Sequence, residues 1–417
     1  MQCAPPMTAR MVGIVLVWLC YLHDARAEDL NFAGRSLVPA VGDRTTATLK
    51  SISDGGELEF VVMGQNVRRL RADELVVWGA PAEPRTDRQL VLTDGGLIAV
   101  RRDPPPTIDQ DHVVAISDTL GELKLPLKKL AGVLLHAPID PQRRDRMAAR
   151  IRNRAAHAEK DATAPADNAD RLLLENGDEL RGRIAAMSES RVEFQADLGP
   201  LTVELERISA LAFNPSLRAA AKANGPRWRL GFADGSLLMA QSIRLHEGQL
   251  QVTVADTAPL TSHEEPVFLQ SLGGPIQYLS DLPPASFRQI AYLDLPYAYQ
   301  LDANVDGTRL RAGGRLFTKG IGMHSTSRLT WQLESAYRRF EADLAIDDQT
   351  RGQGSVVFRL FSGSREIYKS PIVRGGDAPL PISVELDDTR QLSLVVDYAD
   401  RADTLDHADW CNARLIP

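Results

Sequence analysis

Cysteine is scarce in this chain, with 3 among 417 residues: Cys3, Cys20 and Cys411. Aromatic residues contribute 6%, and acidic residues outnumber basic ones, 55 to 48. Each shortage excludes something. A formal net charge of −7 with no long basic patch argues against nucleic acid or an anionic membrane as partner. The apolar run Met11 to Leu22 is shorter than the ~20 residues that cross a bilayer, so it is no membrane span. The N-terminal half has no G-x-S-x-G elbow, no H-E-x-x-H pair, no paired cysteines and no G-x-x-x-x-G-K-[ST] phosphate loop. Acidic residues there, such as Glu193 and Glu204, alternate with apolar ones and read as solvent-facing strand positions. Carboxylates paired only in three dimensions stay open.

What remains is the composition of folded protein, 44% hydrophobic and 25% charged, long enough for roughly two to four domains. Arg10, the apolar run and Ala25-Arg26-Ala27 together predict a signal peptide over residues 1–27. Bulky Val17-Trp18-Leu19 ahead of Cys20 argue against a lipoprotein site. The mature protein would then be periplasmic, on the cell surface or extracellular. Only Cys411 would remain, so the domains must stand on their own cores without internal disulfides.

Four windows of short strands follow, residues 28–80, 86–137, 171–215 and 225–273. The clearest, Arg171 to Phe213, carries the hairpin turn Asn176-Gly177-Asp178; Asp94-Gly95-Gly96 and Asp234-Gly235 stand in two others, and Gly42-Asp43 in the faintest. This pattern suits small five-stranded barrels or bent sheets and resembles Sm-like barrels in topology alone. Tandem structural spacers are the favoured reading over peptide- or polymer-binding barrels, because fold alone does not carry function. Residues 138–170 differ. Pro141 to Lys160 favours a helix with six arginines between Arg143 and Arg154, and Asp161 to Asp170 a linker. A solvated helix bridging two halves is preferred to an anion-binding one, since no aromatics interleave the arginines. Ser216 to Asn224 is a second Ala-rich link.

The stretch from 275 to 417 reads as a β-sandwich. Leu329 to Leu333, Arg339 to Ile346, Ser355 to Phe361, Ile382 to Leu386 and Gln391 to Val396 are strand-like, separated by turn-formers at Asp347-Asp348, Gly363, Gly375-Gly376 and Asp387-Asp388. Two polar segments stand out within it, GGRLFTKGIGMHS (Gly313 to Ser325) and DHADW (Asp406 to Trp410). They are expected on loops or strand ends.

From Tyr278 onward the ordered motifs YLDLPYAYQLDANVDGTRLRAGGRLFTKGIGMHSTSRLTWQL, YRRFEADLAIDD, GSVVFRLF, IYKSPIVRGGDAP and LSLVVDYADRADTLDHADWCNARL closely resemble the NPCBM family. These carbohydrate-binding modules are associated with family 98 glycoside hydrolases. The resemblance implies a galactose-binding-like, discoidin-like β-sandwich jelly roll. It also implies a non-catalytic module binding galactose-type or other complex glycans.

A sugar site needs an aromatic face and convergent donors and acceptors. Candidate ligand-binding residues are His324, Asp347, Asp348, Arg374, Asp406, His407 and Trp410, with Trp331, Tyr337 and Tyr368 as other stacking faces. Alternatives stand beside them. His324 is either a ligand group or a structural histidine bonded to Asp348 or Asp409. Trp410, just before an expected last strand Asn412 to Ile416, fits the core better than a platform. Asp406 and Asp409 could equally hold a loop or a cation. Discoidin-like sandwiches often carry a structural Ca²⁺, for which Asp302, Asp306 and Asp409 are the candidate ligands. Cys411 reads as a buried small hydrophobe.

The whole is therefore expected to be all-β with one helical linker, exported, and a non-enzymatic binder of polysaccharide or glycan. The repeats would serve as spacers or as contacts to envelope proteins. Two other readings are an envelope interaction scaffold without sugar binding, and a glycoside hydrolase with unrecognised carboxylates.

Overall fold

The computed structural model describes residues 34–62, 66–109, 111–154, 168–219, 226–254, 257–291 and 296–417. The expected signal peptide, the end of the expected helix and most of the linker after it lie outside these residues. Among the described residues the protein is all-β apart from one α-helix and short 3-10 turns. No helix among them is long and apolar enough to cross a membrane.

Each of the four windows folds into the same unit. In the third, Asp170–Leu174, Glu179–Met187, Arg191–Ala196, Gly199–Glu204 and Ile208–Ala212 form an antiparallel set in which the first strand pairs with both the second and the last. A 3-10 turn, Leu205–Arg207, precedes the closing strand, as Ala72–Glu74 and Leu127–Lys129 do in the first two units. The Asn176-Gly177 turn forms because Gly177 takes φ +90° and the Asn176 side-chain Oδ1 accepts the Asp178 backbone N–H at 3.1 Å.

These units are not beads stacked in chain order. The closing strand of the first, Leu75–Gly79, pairs with that of the fourth, Phe268–Leu272; that of the second, Leu130–Leu134, pairs with that of the third. Leu97 and Leu237 join the two pairs, and all the strands up to Leu272 belong to one 22-stranded hydrogen-bonded network. The reason lies in the closing strands. Leu75–Gly79, Leu130–Leu134 and Ile208–Ala212 are buried at every residue, so an unpaired edge there would strand backbone N–H and C=O groups away from water. One apolar cluster draws Leu49, Leu92, Leu211 and Leu230 from the four units into a common core.

The helix Pro141–Arg152 is N-capped by Asp140, whose carboxylate accepts the Arg143 amide at 2.8 Å. The expectation of a solvated helix is corrected here: Arg144, Asp145, Ala148 and Ile151 are buried, and the helix lies on the sheet of the second and third units. Gly132 permits this approach, since a Cβ there would stand 2.7 Å from Ile151 Cγ2 and 2.1 Å from the Leu211 carbonyl oxygen.

The C-terminal part is a two-sheet sandwich. One sheet runs Gln300–Leu301, Gly320–His324, His407–Ile416, Arg339–Ile346, Leu380–Glu385; the other runs Ser286–Gln289, Ser327–Gln332, Gln391–Tyr398, Ser355–Ser362, Arg365–Lys369. Alternating residues of both sheets fill the space between them around Trp331, Phe340, Phe358 and Trp410. Burying each phenylalanine contributes about 1.5–3 kcal/mol.

The halves are joined by polar as well as apolar contacts. Arg44 Nη2 donates to Asp343 Oδ1 at 2.6 Å, the half-buried Arg229 donates to the Thr318 carbonyl at 2.9 Å, and Tyr278, its phenol pushed up to about 12 by burial, receives Gln270 Nε2 at 3.1 Å. Arg309 and Arg311 of the sandwich meet Glu83 and Asp145 of the repeat half.

Candidate functional site

The strand Gly320–His324 lies antiparallel to His407–Ile416, in a register that pairs Gly322 with Asp409 and His324 with His407. Two polar segments far apart in the chain thus become neighbours. DHADW lies at a strand end, and the last strand begins at His407, five residues before the expected Asn412. Gly322 lets the loop at Ala303 and Asn304 cross above the strand, where a Cβ would meet the Asn304 carbonyl carbon at 2.5 Å.

At this end of the sandwich the His324 imidazole lies flat against Tyr297, ring centres 4.0 Å apart and planes 7° from parallel. His407 meets His324 edge-on at 5.7 Å and Tyr297 at 6.2 Å. His324 Nδ1 donates to the Ser325 carbonyl at 2.8 Å, which leaves Nε2 as an acceptor in the neutral ring. Gln349 Nε2 stands 2.9 Å from His407 Nδ1; with the amide donating, the network assigns the His407 proton to Nε2. Asp306, 40% exposed, has its carboxylate 3.9 Å from the same Nδ1. Burial pushes both imidazoles below the usual histidine value and outweighs the opposing pull of Asp306, joined by Asp403 on His324 and Asp347 on His407. Both rings are therefore neutral at pH 7. Together these groups offer an aromatic face, ring acceptors and donors, a carboxylate and an amide.

Beneath the site, Asp406 is wholly buried, its Oδ2 accepting from Ser325 Oγ at 2.6 Å and its Oδ1 from the Ser355 amide at 2.8 Å. Burial pushes this carboxyl up to about 6 against those two bonds. The Ser325 hydroxyl thus donates to a carboxylate, not to an imidazole, and forms no nucleophile and base pair. Asp347, 1% exposed, accepts the Gln349 amide at 2.9 Å and the Arg311 amide at 3.1 Å. Asp409 is wholly buried beside it, and no other donor reaches its carboxyl oxygens. Burial and the Asp347 charge hold Asp409 well above the usual carboxylate range, so it keeps a proton and donates it to Asp347.

Of the expected ligand residues, the structure gathers His324 and His407, which are themselves largely buried at 4% and 6% exposed, and places the rest elsewhere. Asp406 and Asp347 are buried and internally bonded, so they brace the site and do not line it. Asp348 receives the Gly313 and Gly314 amides at 2.9 and 2.8 Å and holds a hairpin turn. Arg374 stands apart, paired with Asp400 at 2.7 Å beside a polar cleft of about 260 Å³. Trp410 is core, 0% exposed and edge-on to Phe358 at 4.9 Å. Trp331 is equally buried, and Tyr337 and Tyr368 pack against the same core. His324 bonds to neither Asp348 nor Asp409. Cys411 is fully buried, among Leu310, Ala312, Phe317 and Ala345.

The calcium ligands expected from sequence do not converge. Asp302 pairs with Lys319 Nζ at 2.8 Å, Asp306 faces His407, and Asp409 faces Asp347. Among the described residues no group of three or more His, Cys, Asp or Glu is placed to hold a metal ion. Tyr297 and Gln349 are the site residues that sequence reading missed. The only signal was the tyrosine pair of PYAYQLD ahead of a strand.

Residues 276–416 match the family model of the NPCBM/NEW2 domain. This segment is an NPCBM domain. An alpha-1,3-galactosidase B of Akkermansia muciniphila is 35% identical over 115 residues, 27% of this chain and 14% of that protein. A Renibacterium salmoninarum protein bearing the name endo-alpha-N-acetylgalactosaminidase is 31% identical over 114 residues, 27% of this chain and 8% of that protein. The chain thus spans less than a sixth of either relative, and both match over the NPCBM segment. Among solved structures, a CBM51 from Clostridium perfringens GH95 in complex with methyl-galactose is 25% identical, with a TM-score of 0.31, covering 34% of this chain and 99% of that one.

Proposed function

We propose that the chain is an exported, non-catalytic glycan-binding protein whose C-terminal sandwich holds a galactose-type sugar against Tyr297, His324 and His407. The observation that carries this reading is the convergence of two neutral histidines from adjacent strands under one tyrosine, inside a domain of a carbohydrate-binding family. The Tyr297 ring would face the apolar patch of a pyranose, and Asp306, Gln349 and the imidazole nitrogens would exchange bonds with its hydroxyls. The relatives named as glycosidases share only the module, which fits a targeting role for it. The repeat half then serves as a rigid support.

A glycan array probed with the full chain tests this, alongside Tyr297→Ala and His407→Ala. Binding to galactose-terminated glycans that both substitutions abolish is the expected result. Folded wild-type protein that binds nothing above background would refute it. Turnover of chromogenic glycosides, lost on changing one carboxylate, would refute the non-catalytic part.

A further inference from the structure

The sandwich does not build its sugar site alone. Arg311 lies on the first strand of the hairpin formed by Leu310–Ala312 and Arg315–Phe317, and its guanidinium reaches across to the repeat half. Nε donates to Glu83 Oε1 at 2.7 Å and Nη1 to Asp145 Oδ2 at 2.7 Å. Arg309 completes the clamp, with Nε 2.8 Å from Asp145 Oδ1 and Nη2 3.1 Å from Glu83 Oε2, while Arg144 donates to Glu83 from the helix at 2.8 Å. Asp145 and Arg311 are largely buried here, with side chains 5% and 14% exposed. Burial alone would raise both acids; the two arginines overcome it and hold Glu83 and Asp145 below the usual carboxylate range.

The same arginine touches the site through its backbone. Its N–H donates to Asp347 Oδ2 at 3.1 Å, Asp347 Oδ1 accepts the Gln349 N–H at 2.9 Å, and the Gln349 side chain donates to His407 Nδ1 at 2.9 Å. Asp347 N–H in turn donates to the His407 carbonyl at 2.9 Å. An unbroken series of hydrogen bonds therefore runs from the Pro141–Arg152 helix to the imidazole. We propose that Glu83 and Asp145 are positioning residues of the glycan site: by fixing Arg311 they fix Asp347 and Gln349, and so the tautomer and orientation of His407. This rests on the proposed sugar site. It assigns to the repeat half a part in recognition that a spacer would not have.

The test uses the full chain carrying Arg311→Met, which keeps the N–H and removes the guanidinium, and Glu83→Gln, which keeps the size and removes one charge. Arg359→Met is the control, since Arg359 pairs with Glu366 and Asp397 on the opposite sheet. Methyl galactoside is titrated calorimetrically, and the His407 ring nitrogens are followed by long-range ¹H–¹⁵N spectra. In folded Arg311→Met or Glu83→Gln, affinity falls about three- to thirty-fold and the His407 nitrogen shifts move toward the other tautomer, while Arg359→Met changes neither. Unmoved His407 signals, or moved signals with unchanged affinity, overturn the proposal. If the wild type binds neither methyl galactoside nor an arrayed glycan, the sugar-site reading fails, and the His407 signals alone then decide whether the clamp positions the ring.

Discussion

Asp406→Asn isolates the buried carboxyl that carries the floor of the site. In the folded protein this group titrates near 6 against an ordinary 3.8, because burial outweighs the bonds from Ser325 and Ser355. A raised carboxyl binds its proton more tightly folded than unfolded. Its ionisation therefore costs no stability below the unfolded value, costs progressively more as pH rises from about 4 to 6, and is complete above that. A shift of about two units corresponds to about 3 kcal/mol at 1.36 kcal/mol per unit. Asparagine keeps an acceptor for the Ser355 amide, and its amide faces the Ser325 hydroxyl, which can turn to accept. Urea unfolding at pH 3.5 and pH 7 for wild type and variant gives the difference directly. The two proteins should be near-equal at pH 3.5, and the variant more stable by up to about 3 kcal/mol at pH 7. The comparison is needed because His324 and His407, with lowered values, act oppositely and destabilise the fold as pH falls below about 6.5. A variant difference that stays constant between the two pH values would refute the placement of a costly buried charge at Asp406.

Trp410→Ala should lower stability by about 3–5 kcal/mol in a urea or thermal melt, the cost of a large core truncation; sugar binding lost with an unchanged melt would return Trp410 to the surface. Gly354 takes φ +86°, and a Cβ on it would lie 2.2 Å from the Leu405 carbonyl oxygen, so Gly354→Ala should cost more than about 2 kcal/mol by the same melt, and a neutral outcome would contradict that close approach. Asp409→Asn keeps a donor toward Asp347 and should be neutral within about 1 kcal/mol, whereas Asp409→Ala leaves Asp347 short of one donor and should cost about 1–3 kcal/mol by urea unfolding. Because both imidazoles are held below the usual histidine value, glycan affinity should weaken only as the pH is taken further down, below that value, measured calorimetrically; an affinity that rises there would contradict neutral histidines at the site.

Local patterns in the chain carried much of the sandwich. Arg339 to Ile346 was readable to the residue from its apolar alternation, and the motifs around GIGMHS and DHADW named the family. Partner choice was not readable. Nothing local to His324 says that it lies opposite His407, because register is set by the apolar faces of both strands and by the glycines at 320 and 322. Trp410 and Asp406 looked functional because polar and aromatic residues crowd one short segment, yet Trp410 lies on a strand buried along its whole length and Asp406 is buried just before that strand begins. Tyr297 escaped because a stacked pair between a loop and a strand has no sequence period. The clamp on Arg311 was equally hidden: Glu83, Asp145 and Arg311 are ordinary charges in sequence, and only the docking of the repeat half removes them from water.

The central claim is most directly tested by titrating the full chain and its Tyr297→Ala variant with galactose-terminated glycans by calorimetry. The account predicts saturable binding by the wild type, in the range of about 10⁻⁵ to 10⁻³ M, and at least a tenfold loss in a variant that melts as the wild type does. Equal affinity of the two proteins, or no binding by a folded wild type, would contradict it.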